Sequence, residues 1–237
     1  MTKSYSILAI NFQNVNGTDS MAINDVFPFT TGMTKSNDSS SSDNIQIMND
    51  EGGYQIYFLC NGKAGKGTVD GGDGKWVKDG ASSVTTDSIK NGTAFWYVSK
   101  AFIDNPSATP YSINVSGQVL MASESSREIA QQYMLVANPY PCDVLLNDGV
   151  QVTTGATKSN DSSTADNIQI MNADGGYSIY FLCNGKAGKA TVDGGDGKWV
   201  KDGETSVTTD AFPAGRGGWF VSKTGNTAVK FVSPINE

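Results

Sequence analysis

Residues Thr30 to Lys100 lie on Thr153 to Lys223 without a gap and with roughly three-quarters of the positions identical; Cys60 falls on Cys183, Trp76 on Trp199 and Trp96 on Trp219. Likeness this high exceeds what shared turn preferences generate, so whatever this chain folds into is built twice. The match continues upstream, where MAIND (Met21 to Asp25) parallels VLLND (Val144 to Asp148) and ILAINF parallels MLVANPYP. Downstream, YSINVSGQV is answered by VKFVSPI, and the first copy carries an extra FIDNPSATP loop. Apolar periodicity lapses in the polar SESSREIAQQ, residues 123 to 132, which places the boundary there: 1–124 for the first domain, 125–237 for the second. Each half is long enough to bury well over half of its unfolded surface without staples.

Both copies read as β structure. Ile45 and Ile47 alternate against Gln46 and Met48, DEGG turns the chain, and YQIYFLCN then puts Tyr54, Ile56, Phe58 and Cys60 on one face, a β-hairpin whose glycines Gly52 and Gly53 suit the turn. GTAFWYVSK and GGWFVSK carry the aromatic and β-branched content of core strands. With YSINVSGQV and ILAINF they bring each copy to about six or seven strands, so the expected fold is all-β: two tandem homologous antiparallel sandwich or barrel-like domains. The 27 glycines, and the lack of long helical runs, agree.

The repeated NGKAGK…TVDGGDGKWVKDG is the segment most suggestive of chemistry. A phosphate loop needs glycine five positions before the Gly65–Lys66 pair, where Cys60 stands, and in the second copy Ala190 follows Lys189 in place of a hydroxyl. A solvated turn presenting Lys63 and Lys66 is the better reading. The aspartates match no calcium-loop template, because Gly72 and Gly74 occupy the third and fifth ligand positions after Asp70. Their alternative use is a looser calcium site made by Asp70, Asp73 and Asp79 with Asn37, Asp38 and Asp43, and by Asp193, Asp196 and Asp202 in the second copy. Turn-capping aspartates are favoured over it. Trp76, Trp96, Tyr97, Trp199, Trp219 and Phe220 are expected in the core, and a sugar-stacking role for Trp76 and Trp199 is the rival reading.

A net charge of −7 and no basic cluster argue against nucleic acid as a partner. The absence of histidine removes the usual zinc ligand and every Ser-His-Asp or Cys-His arrangement, so no enzyme is expected, and nothing marks one glycosidase pair among 24 acidic residues. No apolar run is long enough for a membrane helix. Cys60 and Cys183 read as buried small side chains; their pairing with each other or with Cys142 is left open.

The order MLVANPYPCDVLLND, DNIQIMNADGGYSIYFLCN, KWVKDG and AFPAGRGGWFVSK resembles a β-rich module with an Asn-Pro-Tyr-Pro segment that recurs in large secreted and surface proteins of Gram-negative bacteria. The likeness covers nearly all of the second copy; the first has NFQN for Asn-Pro-Tyr-Pro and no proline in IKNGTAFWY. The resemblance implies a non-catalytic extracellular or cell-surface protein engaged in display, adhesion or assembly, and carries no active-site residues. The function expected is therefore that of a structural or interaction protein assembling with itself, as a surface layer or filament, or with other surface components. SYSILAINF is the edge strand expected to join a neighbour's sheet. A two-site glycan-binding module, with or without calcium, is the alternative.

Overall fold

The computed structural model describes residues 3–49 and 51–235. The first half runs β1 (Tyr5–Ala9), β2 (Ser20–Ala22), α1 (Ile23–Val26), β3 (Asn44–Met48), β4 (Tyr54–Ala64), β5 (Gly67–Lys78), β6 (Ser88–Lys90), β7 (Ala94–Val98) and α2 (Lys100–Asp104). The second runs β8 (Glu124–Ile129), β9 (Tyr133–Ala137), β10 (Val144–Leu145), α3 (Leu146–Gly149), β11 (Val150–Thr154), β12 (Asn167–Met171), β13 (Tyr177–Ala187), β14 (Ala190–Lys201), β15 (Ala211–Phe212), β16 (Gly217–Val221) and β17 (Thr227–Val232). Each half is built on a five-stranded antiparallel sheet of matching order, β1-β7-β3-β4-β5 and β9-β16-β12-β13-β14, beside a two-stranded ladder, β2-β6 or β10-β15. All-β architecture in two homologous halves is thus what the chain adopts.

The repeated glycine and aspartate motif lies on the outermost strand of each large sheet. Its hairpin closes in two residues, with Gly65 at φ 57° in the first central position, as a turn matched to the strand twist requires. Beyond it, Leu59 to Lys63 spans four residues on β4 while their partners Trp76 and Thr68 lie eight apart on β5. The surplus is a bulge, with Gly71 at φ 65° and Gly74 at φ 72°, and it folds Val69 inward onto Phe58, Cys60 and Val77. Gly72 is needed there, since an added Cβ would come within 2.5 Å of Val69 Cγ1; Gly195 meets Val192 at the same distance. A long edge strand that is bulged and studded with Asp and Lys is a poor template for another sheet, so the motif is edge protection.

Each half has its own core. In the first, Ile45, Tyr57, Leu59, Trp76, Phe95 and Tyr97 pack with Phe27, Phe102 and Tyr111; in the second, Ile168, Tyr180, Leu182, Trp199 and Phe220 pack with Val150, Val229 and Phe231. The covers differ. A second sheet, β11-β17-β8, lies over the large sheet of the second half, which makes ten strands there against seven in the first. The structure refines three expectations. Residues 123–132, where the lapse in periodicity places the boundary, hold β8, paired with β17 from Thr227–Ile129 to Val232–Glu124, and the segment is polar because it is an edge strand with a solvated face. YSINVSGQV forms no strand, keeping only the isolated bridge from Gln13 to Gln118. One cause is local, since Pro28 stands where Gln151 pairs with Lys230 and a proline has no N–H for a ladder. The third concerns β1. Although it ends its own sheet, its outer side meets the second half through the Leu8–Arg216 bridge and the Ala9 N–H donating to Gly215 O at 3.1 Å, so it is not free along its length to join a neighbour.

The two large sheets pack against each other by their outer faces. Ile7, Ala9 and Ala94 meet Leu135 and Ala137, flanked by Met48, Trp96, Met171, Tyr177 and Trp219. Equivalent residues face one another, with the Trp96 and Trp219 rings 6.5 Å apart, so the chain is arranged like an isologous dimer fused into one polypeptide. Gly217 permits the approach: a Cβ there would lie 2.6 Å from Ile7 Cγ2 and 2.7 Å from Ala94 Cβ.

Candidate functional site

The proposed metal aspartates do not converge. Asp70, Asp73, Asp79, Asp193, Asp196 and Asp202 are exposed along the bulged edge strands, and among the described residues no group of three His, Cys, Asp or Glu side chains is placed to hold an ion. Asp73 instead binds Lys35 at 2.7 Å and Asp196 binds Lys158 at 2.8 Å, tying each bulge to the Ser- and Asn-rich loop beside it. Asp38 caps that loop, accepting from the Ser40 hydroxyl at 2.6 Å and from the Ser40 and Ser41 N–H groups at 2.9 and 3.0 Å, and these bonds, the Ser40 hydroxyl's foremost, hold its carboxyl below the usual range. Asp161 does the same for Ser163 and Thr164. Asn37 then docks the loop on the hairpin tip by donating to Gly65 O at 2.9 Å.

The stacking role for Trp76 and Trp199 is corrected. Both indoles are enclosed, at 0% and 2% exposure, and donate their ring N–H to the Phe27 and Val150 carbonyls. Asn24 and Asn147 lock the same strands, each accepting from the tryptophan N–H and donating to the carbonyls of Thr85 or Thr208. Side-chain amides that complete buried backbone hydrogen bonding explain why NDV and NDG follow the same position in both copies. The three cysteines are free thiols; Cys60 and Cys183 are buried in separate halves.

Asp43 is the most unusual buried group. Its Oδ2 accepts from Tyr97 and Tyr111 hydroxyls at 2.8 and 2.6 Å, and its Oδ1 from the Lys100 N–H at 2.8 Å. Burial raises its carboxyl above the ordinary range against the pull of these donors, and burial together with the carboxylate pushes both phenols up. Asp166, its counterpart, takes backbone N–H groups of Lys223 and Thr157 at 2.7 and 2.8 Å instead. The same carboxylate pins the chain after β7 or β16 in both halves, which is a structural task. Another pair behaves alike: Tyr57 donates to Asp87 and Tyr180 to Asp210, each at 2.8 Å, and burial beside Asp210 pushes the Tyr180 phenol up to about 12.

A mostly apolar recess lies at one end of the junction between the sheets. It is a groove of about 530 Å³ walled by Tyr5, Tyr54, Trp96, Val98 and Met171, with Lys3 and Gln46 as polar members. Pairing makes Tyr133 the counterpart of Tyr5, opposite Val221 as Tyr5 is opposite Val98. At both ends the residue two before this tyrosine reaches the other half's β-turn: Lys3 Nζ donates to Asn172 O at 2.8 Å, and Gln131 lies where a Cβ on Gly52 would come within 2.5 Å of its Oε1. The ends are not equivalent in depth. Tyr177 packs against the junction cluster, whereas Tyr54 stays 38% exposed and leaves the groove open. Concave, mostly apolar space with a few polar groups at the contact of two units is where binding sites usually form.

Of the groove, sequence reasoning picked out Trp96 and missed Tyr5 and Tyr54. A signal for this second face exists: SILAI, AFWYV and YMLVA are apolar on both alternating faces, which a strand with one side in water is not. Comparison with known proteins adds no relative: no family model, no curated protein and no solved structure matches this chain.

Proposed function

We propose that this chain is a non-catalytic structural and interaction protein of the extracellular space or cell surface, and that it assembles with further copies of itself through the junction groove. The observation carrying this reading is the unequal pair of junction ends, one open beside Tyr5 and Tyr54, the other with Tyr177 packed on the junction cluster and Tyr133 at 52% exposure. An open end accepting the opposite end of the next copy is a heterologous contact, which propagates into chains when the rotation does not close. The buried carboxylates are engaged in anchoring bonds, which favours a scaffold over a reaction centre. The Asn-Pro-Tyr-Pro module resemblance supports the surface setting. Electron microscopy and sedimentation of purified protein across salt and calcium concentrations test the proposal. Oligomers or filaments that shorten in Tyr54→Ala are expected, and dispersed monomers under every condition would overturn it.

Glycan binding is the second reading, favoured by the two exposed tyrosines and half-buried Trp96 around the Gln46 amide in the groove. It moves the sugar platform away from Trp76 and Trp199. A glycan array separates the readings, since a hit abolished by Tyr54→Ala supports sugar recognition and a blank array leaves assembly as the use of the groove.

A further inference from the structure

The two halves differ at one place beside the repeated motif, and the difference is a cavity. In the second half a recess of about 400 Å³ is lined by Val152, Ala156, Lys158, Gly197, Lys198 and Trp199, among others. The residues at the matching positions of the first half are Phe29, Met33, Lys35, Gly74, Lys75 and Trp76. There Phe29, 43% exposed, lies over the bulge and Met33 is buried behind it. A Cβ on Gly74 would lie 3.5 Å from Phe29 Cβ and 3.7 Å from Phe29 Cγ, whereas one on Gly197 would meet nothing within 4 Å. Met33 is buried at 7% in the first core, while Ala156 is exposed. The Lys35 ammonium sits 4.9 Å from the centre of the Phe29 ring while also binding Asp73. Lys158 keeps the same ion pair, with Asp196, but Val152 stands where the ring was.

We propose that the second half binds an aromatic ring of phenyl size in this recess, carried by a small anionic molecule. The first half supplies the precedent: the Phe29 ring lies over the glycine of the bulge and under a lysine ammonium, an arrangement favourable through the ring's quadrupole. The Asn147, Trp199 and Asp196 contacts are kept in the second half, but Val152 lies on β11, set back from Gly197 further than Phe29 is from Gly74, so the retreat of the backbone and the loss of Phe29 and Met33 together leave that position vacant. The charge around the recess favours an anionic arm. Lys158 is neutralised by Asp196, but Lys198 contributes a second ammonium, whose Nζ is 3.3 Å from the Asn147 carbonyl at the rim. A volume of about 400 Å³ leaves room for both ring and arm, within the usual range for small-molecule pockets.

The test is titration of isotope-labelled full-length protein with 3-phenylpropionate, followed by amide and indole N–H shifts. Saturable shifts at Lys158, Gly197 and the Trp199 indole are expected, with Gly74 and Trp76 unmoved. Val152→Phe, which brings a covalent ring into the recess, should abolish them while leaving the rest of the spectrum intact. Phe29→Val is expected to open a second site reported by Gly74 and Trp76; should that variant fold poorly, Val152→Phe still decides the matter. No saturable shift in the native protein, or equal shifts in Val152→Phe, would overturn the proposal.

Discussion

The two halves share a five-stranded sheet, an asparagine lock on a buried tryptophan and a bulged edge strand, yet they cover the open face of that sheet by different means. The second half uses β11-β17-β8. The first uses the short helix α2 and irregular chain after it, with Phe102 of α2 and Tyr111 stacked at 6.3 Å and Tyr111 hooked onto Asp43. What a sheet requires from its cover is apolar area and partners for buried polar groups, and neither requirement specifies secondary structure. Asp43 and Asp166 make the point: both take the backbone N–H after the aromatic strand, of Lys100 or Lys223, on one oxygen, while the other oxygen is satisfied by two phenols in the first half and by the Thr157 N–H in the second. A second trade occurs at the ring near the edge of the core. The first half has Ile89 with Phe95, the second Phe212 with Gly218, so the phenyl group arrives from the neighbouring ladder. Phe212 Cζ lies 3.3 Å from where a Gly218 Cβ would be.

The comparison is broken most forcefully at the shared centre. Trp76→Ala and Trp199→Ala should each cost about 3–5 kcal/mol in urea unfolding, because both indoles are enclosed and hydrogen-bonded alike. A loss below about 1 kcal/mol in either would mean that the cores are not equivalent. Next in size is the traded phenyl. Gly218→Phe alone should cost about 1–3 kcal/mol by overpacking against the Gln169 carbonyl oxygen, 2.8 Å from the new Cβ, and against Phe212, and adding Phe212→Ile should recover only the Phe212 part, a coupling that a double-mutant cycle reads directly.

Asp43 offers a difference in pH dependence. Its folded carboxyl titrates above the ordinary 3.8, so its contribution is complete below that value and is lost as pH rises through the raised folded one. Asp43→Asn should therefore flatten the acid side of the stability profile of the first half, measured between about pH 3 and 7. Tyr111→Phe removes a donor from the carboxylate and should cost about 1–3 kcal/mol near neutral pH and less in acid. An unchanged pH profile in both variants would count against the buried assignment. The smallest effect belongs to the lysines over the bulges. Lys158→Ala loses an exposed ion pair, about 0–1 kcal/mol, while Lys35→Ala also loses the Phe29 ring contact and should cost about 0.5 kcal/mol more.

The parts legible in the sequence were those governed by short-range pattern. The hairpins at β3-β4 and β12-β13, the aromatic strands β7 and β16, and the inward Trp76 and Trp199 all follow from alternation and turn glycines, whereas Trp96 and Trp219, expected in the core, lie half-buried on the outer faces at the junction. YSINVSGQV misled because its Tyr111-Ile113-Val115 alternation is also what a covering loop needs in order to bury apolar side chains. SESSREI was hidden for the opposite reason: an edge strand facing water need carry little apolar signal. The groove was the least legible part, since Tyr5 and Tyr54 come together only when two sheets pack by their outer faces, a contact between residues far apart in the chain. The empty recess was readable in principle, as paired differences, Phe29 with Val152 and Met33 with Ala156, inside a stretch otherwise nearly unchanged.

The central claim is that two like sheets meet face to face across equivalent residues, and the Trp96–Trp219 pair tests it most directly. Two indoles 6.5 Å apart and tilted by 57° should couple, giving a bisignate band in the circular dichroism of the tryptophan transitions. Trp96→Phe and Trp219→Phe should each abolish the whole band, and the double variant should remove nothing further. Two independent, additive contributions would instead place the indoles apart and contradict the face-to-face junction.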